Sequence, residues 1–247
     1  MLQARSSAHG CAALLTMCVF GLSNQSADAA RLLLEGPGTA IEIDSGIMAG
    51  TLDDGVQTFS AADLAFMQAE LAADGIDTSG HISLLLAETG NGLAFVNLFD
   101  GVVGPPLAGG NDSTLGYNSL TSSTAVRHSN TDSGGNLSWF DFGITQLVDG
   151  TFEWQSGTTS EGFAWSNLQE GDVGTVSFVD LGLDQLIPTM MFQYITHNGE
   201  SWEVASYGEF APDSTQYNLS FFVSEVPAPG ALSLLVLSAV RRRRRRH

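Results

Sequence analysis

Four tryptophans fall in the second half of the chain, at Trp139, Trp154, Trp165 and Trp202. An indole offers a broad, flat apolar face, and such faces on a β scaffold can stack on sugar rings. Trp154 and Trp165 each follow a phenylalanine by two residues, Phe152 and Phe163, which on a strand puts each pair on one side. That spacing suits a core as well as a sugar platform. Carboxylates beside aromatics come next, at Glu153, Glu161 and Glu203. Two carboxyl groups about 5–9.5 Å apart could hydrolyse a glycosidic bond. With 27 acidic residues in the chain, however, candidate pairs are abundant and single out nothing.

Other chemistries lack their residues. There is no Gly-x-Ser-x-Gly elbow, no His-Glu-x-x-His helix and no phosphate loop. None of the histidines His81, His128, His197 and His247 has a second histidine at metal-helix spacing. Both cysteines, Cys11 and Cys18, sit in an N-terminal apolar segment. No motif requires a cofactor. Structural calcium is admissible, because oxygen-bearing loops abound. The stretch Asp74 to Ile82 places Asp77 and Ser79 at positions 3 and 5 of an EF-hand-like loop. It puts Gly75 and Leu86 where the end ligands belong, so the loop does not fit. Asn130 to Asn136 and Thr51 to Gly55 serve equally well as plain turns.

Charge narrows the partners. Between residues 31 and 224 stand 25 acidic residues and two arginines, Arg31 and Arg127, a balance of −23. Such a surface repels phosphate backbones, so nucleic acid is excluded as a partner of the body.

Both termini read as addresses. Residues 1–29 have the layout of a secretory signal peptide: Arg5 and His9, the apolar run Cys11 to Leu22, then Ala27-x-Ala29, a pattern that signal peptidase cuts before Ala30. At the other end Pro227 and Pro229 stop regular structure, since neither has a backbone N–H to give. Gly230 to Val240 is apolar, and as a helix it would reach about 17 Å. A bilayer core is about 30 Å thick. Six arginines follow, Arg241, Arg242, Arg243, Arg244, Arg245 and Arg246, which hold a segment's end on the cytoplasmic side.

Residues 226–247 resemble the PEP-CTERM sorting tail, carried by Pro227, Pro229 and the arginine cluster; Ala228 stands where that family most often has Glu. The resemblance implies recognition by an exosortase-type membrane enzyme and transient anchoring in the inner membrane. It further implies delivery to the cell surface or extracellular matrix of a Gram-negative-type bacterium that makes extracellular polysaccharide.

The elements that must carry these residues are strands. Residues 30–225 alternate short apolar stretches with Gly, Asn, Asp, Ser and Thr. Ile82 to Ala87 and Leu93 to Phe99 flank an expected hairpin turn at Asn91-Gly92, and a second is expected at Asn198-Gly199. Period-two alternation recurs at Phe140-x-Phe142-x-Ile144, Val176-x-Phe178, Phe192-x-Tyr194 and Leu219-x-Phe221-x-Val223. The long polar stretch Gly104 to Asn136 should hold a strand near Ala125 to His128, within one domain. One helix is expected over residues 60–74: Ser60 as N-cap, Asp63 at N3, a Leu64, Met67, Leu71 stripe and Gly75 after the end. The predicted fold is mainly β, an antiparallel β-sandwich of jelly-roll-like or Ig-like type with one short capping helix. The expected function is a non-enzymatic, structural or adhesive surface protein with polysaccharide as partner. A carbohydrate-binding module and a secreted glycoside hydrolase are the alternatives.

Overall fold

The computed structural model describes residues 29–53, 58–100, 113–122, 125–131, 135–154, 160–182, 192–211 and 214–225. Their order is β1 (Ala30–Gly36), β2 (Thr39–Asp44), β3 (Gly46–Ile47), α1 (Ala61–Ala73), β4 (Ile82–Thr89), β5 (Gly92–Asp100), β6 (Ser113–Ser122) and β7 (Val126–Asn130). There follow β8 (Gly135–Asp141), β9 (Thr145–Trp154), β10 (Ser160–Ser166), β11 (Val173–Asp180), β12 (Phe192–His197), β13 (Trp202–Gly208) and β14 (Gln216–Glu225).

These strands make two sheets. The first runs β2-β1-β14-β11-β6-β9-β8 and is antiparallel throughout. The second runs β13-β12-β4-β5-β10-β7. It is mixed, because both β12 and the short β3 lie parallel to β4. The protein is thus mainly β with one short helix, as the alternation predicts. Parallel pairing at β4 departs from the purely antiparallel sandwich, since β12 enters the sheet from a distant part of the chain and not through a hairpin.

The sheets face each other across an aromatic core. Phe95 of the second sheet meets Phe221 of the first at 5.1 Å between ring centroids, and Phe99 meets Phe152 at 4.5 Å. Leu32, Leu34, Val176, Phe178 and Leu219 fill one side of this layer, and Leu84, Leu86, Phe163 and Trp165 the other. A second layer lies on the far side of the second sheet. There Leu64, Met67 and Leu71 of α1 pack on Leu85, Ala87, Val96, Leu98 and Ala164. β4 and β5 are therefore buried on both faces, which explains why they read as continuous apolar runs and not as alternating ones.

The helix begins as its sequence dictates. Ser60 caps Asp63 N at 3.1 Å while the Asp63 carboxylate accepts from Ser60 N at 3.1 Å, a reciprocal capping box. Gly75 follows with φ +84°, a left-handed value that a Cβ would disfavour.

Two turns differ in detail from expectation. Thr89 pairs with Gly92, so the turn residues are Gly90 and Asn91, and the left-handed position falls on Gly92 (φ +82°). The expected alternating strand Phe140-x-Phe142-x-Ile144 ends early. β8 stops at Asp141, Gly143 turns the chain with φ +81°, and Phe142 and Ile144 stand exposed in the hairpin loop. A protruding hairpin and a half-buried strand share the same two-residue period. Within the polar stretch 104–136, β7 forms one residue from the expected start and carries His128.

Ala27 and the tail residues Pro227, Pro229 and Arg241 to Arg246 lie outside the described residues. Ala29 is the first described residue, and β1 starts at Ala30. Among the described residues no helix is long and apolar enough to cross a membrane.

Candidate functional site

Outward positions of the first sheet bring together residues that the alternation alone leaves dispersed. Asn118 (β6), Thr175 and Ser177 (β11), and Gln216, Asn218 and Ser220 (β14) line a shallow cleft of about 590 Å³. Each is the outward member of a strand whose inward members, Tyr117, Val176 and Leu219, are buried. Their side chains brace one another. The Gln216 amide donates to Ser177 Oγ and to Asn218 Oδ1, both at 2.9 Å, and Ser177 Oγ donates to Asn218 Oδ1. At the cleft's border Asn118 Nδ2 donates to Asp149 Oδ1 at 3.2 Å. Amides and hydroxyls held at strand spacing offer donors and acceptors without charge, which is the chemistry that matches sugar hydroxyls. Sequence reasoning missed this group. Its signal is that the outward residues here are neutral amides and hydroxyls in a body so rich in carboxylates.

A second pocket, about 510 Å³, opens where the end of α1 meets the start of β10; Gln68, Asp77, Ser79, Asp100 and Ser160 lie on its wall. The Asp100 carboxylate there is fully engaged. It accepts from Gln68 Nε2 at 2.9 Å, Thr78 Oγ1 at 2.7 Å and Ser160 Oγ at 3.0 Å. Asp77 accepts from Ser79 N at 3.0 Å, and hydrogen bonding to Ser79, with the nearby His81 charge, holds its carboxyl below the usual range. Asp74 accepts from Trp202 N at 2.7 Å. The loop Asp74 to Ile82 thus spends its carboxylates on backbone and side-chain donors. Among the described residues no three His, Cys, Asp or Glu side chains converge as a metal site would need.

The tryptophans are distributed through the packing. Trp165 is fully buried, and its Nε1 donates to Ser119 Oγ at 2.8 Å. Trp202 is 5% exposed and fills the outer layer against the His197 ring at 5.1 Å. Trp139 is half-buried, stacked on Phe163 at 6.1 Å with the Arg127 guanidinium 4.4 Å from its centroid. Neither Trp165 nor Trp202 has a ring face open to a ligand, because the two-layer core needs those indoles as filler. Trp154 ends β9, and its side chain lies outside the described residues.

The three singled-out carboxylates do not meet across a cleft. Glu161 is buried on β10, on the face toward the first sheet, while Glu203 is exposed on β13 and accepts from Asn198 Nδ2 at 3.2 Å. Four strand spacings separate β10 from β13, about 19 Å. Glu153 points outward from the first sheet.

A serine–histidine contact does exist. Ser166 Oγ lies 2.7 Å from His128 Nε2, and Asn91 Nδ2 donates to Ser166 Oγ at 3.0 Å. Both Ser166 and His128 are completely buried, so the trio ties the β4–β5 hairpin to β10 and β7 and presents no nucleophile to solvent. His81 rests 6.2 Å from the Tyr207 ring, and His247 lies outside the described residues. Compared with known protein families, curated proteins and solved structures, the chain finds no match in any of the three.

Proposed function

We propose that the chain is an exported surface protein whose β body, residues 30–225, is carried out by the signal peptide and held for an exosortase-type enzyme by the tail. The body is structural or adhesive, and polysaccharide is its partner. The observation that carries this reading is where the strands begin and end. β1 starts at Ala30, the residue that signal peptidase would leave first, and β14 finishes at Glu225, two residues before Pro227. Every described strand pair lies between residues 30 and 225, so removing either address would break none of the described pairs. Within the body, the neutral cleft around Ser177, Gln216 and Asn218 is the surface best suited to sugar hydroxyls. It supports a non-aromatic mode of polysaccharide contact over one built on tryptophan platforms.

The test is fractionation of a polysaccharide-producing host that has an exosortase-type enzyme. Wild-type chain is expected in the surface matrix. A variant with Arg241 to Arg246 replaced by alanine should be lost from the matrix fraction. A Ser177→Ala, Gln216→Ala, Asn218→Ala variant should reach the surface and wash out of the matrix at lower salt. Equal recovery of all three chains in the matrix would refute both the sorting role and the cleft.

A further inference from the structure

Outward apolar side chains of the first sheet gather at one end of it. Leu33 of β1 sits opposite Phe222 of β14, and Phe222 opposite Val173 of β11. One step along the strands a second row continues across the sheet: Leu120 of β6 faces Leu147 of β9, which faces Phe140 of β8. The β8–β9 hairpin then carries Phe142 and Ile144 past the sheet's end, 61% and 81% exposed. The Phe140 and Phe142 rings lie nearly parallel, 6.4 Å apart. Val173, Phe222 and Phe140 are themselves 54%, 42% and 46% exposed. Single exposed apolar residues need no explanation, but a contiguous belt does.

The belt coincides with the chain's exit. Ala30 pairs with Glu225, Val173 with Phe222, Gly174 with Thr121, and Ser122 with Thr145. Following that register, the end of β14 and the β8–β9 hairpin lie at the same end of the sheet, β9 and β14 being about 14 Å apart laterally. Val226 to Pro229 then lead to the apolar tail segment, and four residues span at most about 14 Å. A chain anchored by that tail holds the belt within reach of the bilayer.

We propose that the belt and the hairpin tip form a membrane-docking face, which seats this end of the sandwich on the zwitterionic lipid surface that holds the tail. The inference rests on the tail being a membrane anchor. Its physical motive is the tail's shortness: even fully helical, the apolar stretch Gly230 to Val240 would reach only about 17 Å, a poor anchor in a hydrocarbon layer of about 30 Å. Stable attachment of a marginal anchor takes a second contact. Charge selects the lipid. A body at −23 is repelled by anionic headgroups, and Arg31, two residues from Leu33 of the belt, is engaged by Asp44 at 2.7 Å and Glu42 at 3.4 Å. The same like-charge repulsion disfavours a second copy as the occupant. With the tip down, the far part of the neutral cleft, around Ser177, Gln216 and Asn218, stands at least about 14 Å along the strands from Val173, while Thr175 and Ser220 lie level with the belt's second row. Removing the tail leaves the belt as the only contact, too weak to hold alone, so cleavage releases the protein.

The test uses the mature chain, residues 30–247, on phosphatidylcholine vesicles with brominated acyl chains. Phe142→Trp adds a reporter at the tip, and Leu181→Trp adds one at the opposite end of β11, where Leu181 is 56% exposed. Quenching of the added tryptophan is expected for Phe142→Trp and not for Leu181→Trp. The Phe142→Asp, Ile144→Asp chain should partition about a hundredfold less well, since two apolar side chains lose their burial. If the chain floats with vesicles while Phe142→Trp stays unquenched, the docking face is wrong and the tail anchor stands. If no variant floats, the anchor fails, and the docking face falls with it.

Discussion

At the scale of single residues the core is held by aromatic groups, and the polar atoms of Tyr194, Tyr217 and Trp165 are tied inside it. Tyr194 and Tyr217, one from each sheet, share a hydroxyl hydrogen bond of 2.8 Å, and Trp165 donates to Ser119. Burial pushes the Tyr194 hydroxyl well above its ordinary range, with the Tyr217 bond adding to the effect, and burial pushes up Tyr117 likewise. The sign of the linkage follows. Below about pH 10 both folded and unfolded tyrosines are neutral, and the stability from burying them is fully present. Above it the unfolded chain releases protons that the folded chain retains, so stability falls as pH rises. Each tyrosine contributes a slope of up to about 1.4 kcal/mol per pH unit. Urea midpoints measured from pH 8 to 11 should be level at first and then drop, and Tyr117→Phe should flatten the drop. A midpoint that stays level through pH 11 would contradict the burial of these hydroxyls.

The element whose formation is most local is α1. Its capping box and its Leu64, Met67, Leu71 stripe are written within a few residues, and the helix forms where they predict. Its seat on the second sheet depends on a distant residue. A Cβ on Gly162 would lie 2.7 Å from the Phe59 ring and 2.9 Å from Leu64 Cδ2, so the absence of a side chain there lets the helix layer approach β10. Ser60→Ala should cost about 1 kcal/mol through the lost cap. Gly162→Ala should cost about 1–3 kcal/mol by overpacking. Equilibrium urea unfolding measures both. Additive losses are expected in the double variant if the cap and the seat are independent, and a Gly162→Ala chain as stable as wild type would mean that the helix can shift freely on its sheet.

For the whole molecule, unequal covering of the two sheets is the organising fact. The central strands β4 and β5 of the second sheet are buried on both sides, by the first sheet and by α1, while the outward face of the first is left with an apolar belt toward one end and a neutral cleft adjoining it. Around these surfaces lie the carboxylates of a body whose residues 31–224 carry −23, with Arg31 and Arg127 as the only Lys or Arg side chains in that span. Repulsion among them is long-ranged at low ionic strength and is screened over about 8 Å at physiological salt. The melting temperature of the body should therefore climb as sodium chloride is raised from about 10 mM to about 300 mM, over which the screening length shrinks severalfold. A melting temperature independent of salt would show that the acidic groups are spaced too far apart to oppose folding.

The sequence by itself determined what depends on neighbours a few residues away. The mainly β class follows from period-two alternation, α1 from its cap and stripe, and the strand near His128 from a gap too long to be loop. It also determined the charge, and it carries the two segments proposed as addresses, which would be linear signals. Tertiary structure decided what depends on pairing. Leu33 and Phe222 stand nearly a whole chain apart, yet meet because β1 and β14 pair in one register, and a shift of one residue would turn every side chain to the opposite face. The same holds for the cleft, whose residues come from β6, β11 and β14. Whether an alternating aromatic is core or surface was likewise settled by what lies over it. Trp165 is sealed between two sheets, while Phe142, with the same period, projects from a hairpin into solvent. Periodicity reports that a strand has two faces, and only packing decides which face is covered.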